Sequence, residues 1–154
     1  MEIVKAIIGH AKEISELMSS DLKNPNSKFP QKMIDNFIEH AKEENIIKEF
    51  KNPKLIAFIA KNEGKVVGFI VGYEDTLNDS AMIHYITSNE IKIKKELFDR
   101  FIKECKLKNI KKIITDTFEF MENKDFFESN KFRLMKKEEV APNLEMMWYE
   151  LNLN

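Results

Sequence analysis

The stretch IAKNEGKVVGFIVG, residues 59 to 72, decides the fold. Leu55 to Ala60 is a β-favouring run, and Lys65 to Tyr73 is a second one, carrying Val66, Val67, Phe69, Ile70 and Val71. Between them stand Asn62, Glu63 and Gly64, with Gly where positive φ is tolerated. Two such runs joined by a short Gly-containing turn predict a β-hairpin. Gly68 inside the second run points to a bulge or a close backbone approach. Leu77, Asn78 and Asp79 then turn the chain, and Ala81 to Thr87 (AMIHYIT) is the third strand of a meander.

Outward from this core, helices and strands mix. On the N-terminal side, Glu2 to Ile8 is a short apolar run of strand character. Ala11, Ile14, Leu17 and Met18 recur at helical spacing, and Asp21 to Phe29 reads as a loop. Met33, Ile34, Phe37, Ile38 and Ala41 form the stripe of a second helix that fades before Asn52 and Pro53. On the C-terminal side, Ser88 and Asn89 are N-cap candidates. Leu97, Phe98, Phe101, Ile102 and Cys105 trace a long helix ending near Asn109. Lys111 to Thr117 is a strand and Glu122 to Asn130 a short helix. Phe132 to Lys136 and Leu144 to Leu151 are closing strands around a turn at Pro142 and Asn143. The order β-α-α-β-β-β-α-β-α-β-β predicts an α+β (mixed α/β) sheet rather than a doubly wound one. With no repeat and no linker, residues 1 to 154 are expected to form one domain.

Composition narrows the function. The 25 basic and 26 acidic side chains nearly cancel, so charge alone points to neither nucleic acid nor a membrane surface. No glycine follows Gly72, which excludes a glycine-rich phosphate loop in the C-terminal half. One cysteine, Cys105, excludes an internal disulfide framework and a cysteine-built zinc site. His10, His40 and His84 lack ligand spacing, so no metal is expected. The absence of an apolar run of spanning length leads to the expectation of a soluble, cytoplasmic protein.

The informative junction lies between residues 86 and 95. If the strand before the long helix splays from the strand after it, backbone groups at Ile86, Thr87 and Ser88 lose a partner. An extended ligand then pairs with them as an added strand does. The helix N-terminus beyond presents free N–H groups to an anion. Lys92, Lys94 and Lys95 lie in its first turns, where cations oppose the helix dipole at a cost of ~0.3–1 kcal/mol each. Either an anion is normally present there or the lysines reflect the general Lys richness of the chain.

The element order and these motifs resemble the GNAT superfamily of acyl-CoA-dependent N-acetyltransferases. The resemblance covers nearly the whole chain. It is carried by the Ile59–Gly72 hairpin, by the strand-helix-strand unit from Ala81 to Thr117, and by the Phe-rich helix running into Phe132. It implies acetyl-CoA as acyl donor, its pantetheine arm along Ile86 to Ser88, and direct transfer to a small-molecule or peptide amine. The family holds the pyrophosphate with a loop of the form R/Q-x-x-G-x-G/A. Here Asn89 falls at the Arg or Gln, Glu90 on an early Gly, Lys92 and Lys94 on the two later glycines, and Ile93 on the apolar position. Many members use a Tyr of the later helix as general acid. Here Phe127 falls on that Tyr and Lys131 on the usual Gly, while Phe120 and Asn123 replace the customary Asn and Ala. The resemblance therefore assigns Ile86, Thr87, Ser88, Lys92, Ile93, Lys94, Lys95, Asn123 and Phe127 to cofactor binding. A non-catalytic relative that keeps the fold as a binding module is the alternative.

Adjacent residues of a strand point to opposite faces, so one of His84 and Tyr85 is expected to face a substrate cleft. His84, near neutrality in pKa, is the candidate base toward an ammonium group, with Tyr85 beside it; simple packing against the sheet is the other reading. Glu74, with Asp75, follows the second hairpin strand and is a candidate base acting through water, or part of a solvated turn. Cys105 reads as a buried, inert thiol. The Phe residues at 118, 120, 126 and 127 read as core. Met146 and Met147, beside Trp148 and Tyr149, form an apolar patch belonging either to the core or to the surface of a possible homodimer.

Overall fold

A computed structural model describes all 154 residues. One seven-stranded sheet has the order β1-β2-β3-β4-β5-β7-β6. Its strands are β1 (Glu2–Lys5), β2 (Leu55–Asn62), β3 (Lys65–Asp75), β4 (Ser80–Ser88), β5 (Lys112–Phe118), β6 (Arg133–Ala141) and β7 (Leu144–Asn152). The helices are α1 (Ala11–Asp21), α2 (Gln31–His40), α3 (Glu43–Glu49), α4 (Ile91–Leu107) and α5 (Glu122–Ser129). The expected mixed architecture is present, with β4–β5 the one parallel pair. The single helix expected before Asn52 is in fact two. Lys42 takes an extended conformation (ψ 139°) and starts α3 afresh. The first closing strand also runs to Ala141, well past Lys136.

The hairpin turns through Glu63 (φ 51°) and Gly64 (φ 79°), the paired positive φ that suits a twisted β2–β3 ladder. Both functions expected near Gly68 are present. The β2–β3 register shifts between Ala60 and Lys61, and α4 lies so close that a Cβ on Gly68 would stand 2.8 Å from the Leu97 side chain. Gly72 is tighter still. A Cβ there would be 2.3 Å from the Met82 carbonyl oxygen and 2.7 Å from the Phe101 ring. These two glycines let α4 sit directly on the sheet.

Two cores result. Ile93, Leu97, Phe98, Phe101 and Cys105 of α4 pack with Phe126, Phe127 and Phe132 over Ile70, Ile83, Ile86, Ile113, Met147 and Tyr149. Ala11 and Ile14 of α1 and Ile46 of α3 pack on the opposite face over Ala57, Ile59, Phe69 and Val71. Burial of each large apolar side chain contributes roughly 1.5–3 kcal/mol. Met147 thus belongs to the core, and Met146 is half-buried. Lys131, on the position where the resemblance puts Gly, has φ 70°. No helix is long and apolar enough to cross a membrane.

Candidate functional site

The β4–β5 ladder stops short. It pairs Ser80 with Lys112, Ala81 with Ile113, Met82 with Ile114 and Ile83 with Thr115, and nothing beyond. The Thr115 hydroxyl donates to the Ile83 carbonyl at 3.2 Å, the last hydrogen bond across the gap. From there each strand follows its other neighbour. Tyr85, Ile86 and Thr87 stay paired with Val71, Ile70 and Phe69, while Asp116, Thr117 and Phe118 stay paired with Trp148, Met147 and Met146. A local cause is visible. Val71 opposes Tyr85 but Gly72 opposes Ile83, so His84 is an extra residue in β4. A bulge bends its strand and raises the local twist. The result is a wedge whose β4 wall offers unpaired backbone groups.

The N-terminus of α4 stands at the wedge mouth. Its cap is Glu90, without a side-chain cap bond, and not Ser88 or Asn89 as the sequence suggests. Ser88 holds the entry from outside the helix: its hydroxyl accepts from the Glu90 N–H and donates to the Val67 carbonyl, both at 3.2 Å. The first intrahelical bond runs from the Lys94 N–H to the Glu90 carbonyl. The N–H groups of Ile91, Lys92 and Ile93 are therefore orphan donors. The three lysines diverge. Lys92 is exposed. Lys95, exposed at the edge of the groove between α4 and α5, pairs with Asp99 at 2.5 Å. Lys94 is buried (7% exposed), and its ammonium donates to the Asn123 side-chain oxygen at 2.5 Å and lies 5.3 Å from the Phe126 ring centre. Desolvation lowers its pKa, opposed by Glu122 and Asp21. Lys94, held by Asn123, lines a groove of about 650 Å³ between α4 and α5 together with Ser88, Asn89, Lys95 and Phe126 and the acids Glu122 and Asp125. Ile93 is a core residue packed toward Gly68, so only its backbone is available to a ligand.

The bulge also corrects the expected facing of two side chains. His84 and Tyr85 do not point to opposite faces, because the extra residue breaks the alternation. Tyr85 packs with the α1-side core, and the His84 ring meets Tyr73 edge to face at 4.8 Å. Glu49 of α3 lies near Tyr73, whose pKa is pushed up to about 12, first by burial and then by the Glu49 carboxylate. Burial lowers the pKa of His84, keeping its imidazole neutral at pH 7. Asp21, at the end of α1, accepts hydrogen bonds from the Tyr85 hydroxyl and, at 2.7 Å, from the Thr87 hydroxyl. Burial and Asp21 together hold Tyr85 protonated. Across the wedge, Asp116 stands opposite Trp148 in the ladder, and burial raises its carboxyl pKa. The indole N–H of Trp148 is buried without an acceptor, and Lys136 lies 5.2 Å from the ring centre.

Two predicted residues are not brought to this place. Glu74 pairs with Ala81, five residues before Ile86, and so lies about 15 Å down the strand. Its charge acts on Cys105, under the other end of α4, not on His84. Phe127 is 1% exposed and packs against Phe126, Phe132 and Tyr149, so its ring lines the core instead of the groove. Cys105 is fully buried and its thiol pKa is pushed up to about 12, as suits an inert thiol. Sequence reasoning missed Asp21, Asp116, Glu49 and the Trp148 indole. Asp116, a lone acid amid Ile113, Ile114 and Phe118, was the one with a visible signal. No group of three or more His, Cys, Asp or Glu side chains is placed to hold a metal ion.

No family model matches the chain, and no curated protein sequence matches it. Solved structures do. An acetyltransferase of the GNAT family from Staphylococcus aureus Mu50 is 25% identical over 99% of both chains, with a TM-score of 0.78. The PaiA N-acetyltransferase of Thermoplasma acidophilum, solved with coenzyme A, is 19% identical over 96% of both chains, with a TM-score of 0.78. The aminoglycoside 6'-N-acetyltransferase of Enterococcus faecium is 14% identical over 100% of this chain and 98% of its own, with a TM-score of 0.79. The chain has the GNAT acetyltransferase fold.

Proposed function

We propose that the protein transfers an acyl group from acetyl-CoA to an amine. The observation that carries this reading is the wedge beyond Ile83 and Thr115, opened by the bulge at His84 and leading to uncapped N–H groups on α4. A pantetheine arm is a chain of amides, and it is suited to the unpaired edge of Ile86, Thr87 and Ser88. Its pyrophosphate then meets the N–H groups of residues 91 to 93, with Lys94 supplying charge from one side. Asn123 orients that ammonium, and Lys92 and Lys95 add long-range attraction from the surface. The solved structure of the similar PaiA enzyme contains coenzyme A, which supports the same class of ligand here.

The acceptor side is the α1 face of the wedge. Half-buried Asp116, exposed Asp21, and the carboxylates Glu119, Glu139 and Glu145, which with Lys28 surround a cavity of about 430 Å³ nearby, favour a cationic amine. Neutral His84 takes a proton from the ammonium, directly or through water. The free amine attacks the thioester carbonyl carbon, a C–N bond forms, and the C–S bond breaks. Unpaired backbone N–H groups at the wedge polarise the carbonyl oxygen, and the second proton, lost by the nitrogen on attack, passes to solvent, since His84 already holds the first. The departing thiolate takes its proton from solvent.

The alternative, a binding module of the same fold, is favoured by one observation: Phe127, at the position of a family acid, is a core-buried phenyl ring. Calorimetric titration of folded protein with acetyl-CoA and CoA separates the two. Saturable heat is expected, and no heat at millimolar ligand overturns the acyl-transfer reading and leaves the module. Lys94→Glu is expected to weaken CoA at least about tenfold, near 1.4 kcal/mol. Release of CoA thiol on adding amines then separates enzyme from module.

A further inference from the structure

The two helices that border the groove begin differently. The first turn of α4 carries no acid, and its N–H groups at residues 91 to 93 are free to meet a phosphate. The first turn of α5 carries Glu122 and Asp125, whose carboxylates offset the positive field of that helix end. Both side chains are exposed, and both line the groove. The cations that line it are Lys94 and Lys95. Lys95 is paired with Asp99 at 2.5 Å, and Lys124, at the start of α5, is paired with Glu128 at 3.1 Å. Lys92 is exposed and does not line the groove. Lys94 is therefore the one lining ammonium without a carboxylate partner, and Glu122 acts on its charge. A third carboxylate, Glu90, stands at the cap of α4 and makes no cap bond.

Charge counting sets how much anion such a groove accepts. One ammonium and one open helix N-terminus, equivalent to about half a charge, match a single phosphate group of about −1.5 to −2 at pH 7. CoA brings a pyrophosphate and, beyond it, a 3'-phosphate on its ribose. That last group adds up to about two negative charges. No unpaired lining cation is left to meet it, and Glu122 and Asp125 repel it. We propose that the groove selects donors by the phosphopantetheine arm alone, with Glu122 and Asp125 as the residues that turn away the 3'-phosphate. The proposal rests on the acyl-transfer reading and narrows its donor class: thioesters of 4'-phosphopantetheine and of dephospho-CoA fit as well as acetyl-CoA does.

Calorimetric titration at low salt with CoA, dephospho-CoA, 4'-phosphopantetheine and pantetheine tests it. Dephospho-CoA and 4'-phosphopantetheine are expected to bind within about threefold of CoA or tighter, and pantetheine, which has no phosphate, more than about threefold more weakly than 4'-phosphopantetheine. CoA bound more than about threefold tighter than dephospho-CoA overturns the proposal, because the 3'-phosphate is then held. So does pantetheine within about threefold of 4'-phosphopantetheine, because no phosphate is then read. Glu122→Gln with Asp125→Asn keeps the shapes and removes both charges. In that variant CoA is expected to gain more than about threefold in affinity relative to 4'-phosphopantetheine, and a smaller gain overturns the role of the two carboxylates. Circular dichroism checks α5 in the variant, and the ligand series on the wild-type protein decides the donor class whether or not α5 tolerates the exchange. Failure of all four ligands to bind removes the acyl-transfer reading itself, whereas a preference for CoA over dephospho-CoA removes only this refinement of it.

Discussion

From Ser80 to Ile83, β4 is sealed to β5 by a parallel ladder; from His84 to Ser88 the same strand has no neighbour on that side. The sequence of the two halves is not very different, SAMI against HYITS. What differs is one extra residue and the packing beneath it. The sealed half lies where Gly72 lets Phe101 of α4 touch the sheet, and α4 clamps that half from above. The open half lies under the first turns of α4, with Ser88 turning the chain away. Pairing and opening in one strand pair are thus separable, and a ligand site can be built without leaving a whole strand unpaired.

Breaking the sealed half should have the largest effect. Gly72→Val puts a Cβ 2.3 Å from the Met82 carbonyl oxygen, where backbone must move. A loss of about 3 kcal/mol is expected in urea unfolding. Gly68→Ala, near the open half, meets chiefly the flexible end of Leu97 and should cost about 1 kcal/mol. Equal costs would mean that α4 does not clamp the sealed half preferentially.

Removing the cause of the opening should come next. Deletion of His84 restores an uninterrupted β3–β4 register and lets β4 run on beside β5. CoA affinity is expected to fall about 100-fold, near 2.7 kcal/mol, with the fold retained. Amide exchange between Tyr85 and Thr87 should slow as these groups gain partners. Wild-type affinity in the deletion variant would show that the bulge does not hold the wedge open.

The strands, the long helix and the possibility of a gap between Ile86 and Lys111 were legible because each is written locally. The hairpin has its glycine turn, α4 has its stripe, and a β-α-β crossover forces a parallel pair. The bulge was not legible. AMIHYIT alternates well enough to pass for a regular strand, and the extra residue is defined only by the register with β3. That one omission sent His84 and Tyr85 to opposite faces. The break between α2 and α3 was hidden for a similar reason, since Lys42 carries no breaker signal. Glu74 was drawn into the site by nearness in sequence to the hairpin, although β3 runs antiparallel to β4 and carries it away from the wedge. Asp21 needed tertiary structure outright: 64 residues separate it from Tyr85.

The smallest expected effect concerns the other wall. Asp116 is the first β5 residue past the sealed ladder, and burial alone raises its carboxyl pKa above 3.8. A group whose pKa is raised on folding stabilises the native state fully below its unfolded pKa, and that contribution is lost as pH rises through the folded value. At pH 7 the ionised carboxylate is therefore a net cost. Asp116→Asn keeps the shape and removes the charge. It should raise stability at pH 7 by about 1 kcal/mol or less, with the gain shrinking as pH falls toward 3.8. The same variant should weaken a cationic acceptor and leave CoA affinity unchanged, since Asp116 faces the α1 side of the wedge. A variant less stable at pH 7 would mean that the carboxylate has a favourable partner in the free protein. A residue that costs stability when empty and gains an ammonium when occupied is what a site retained for binding would keep, and the sealed half of the same strand pair has no such group to lose.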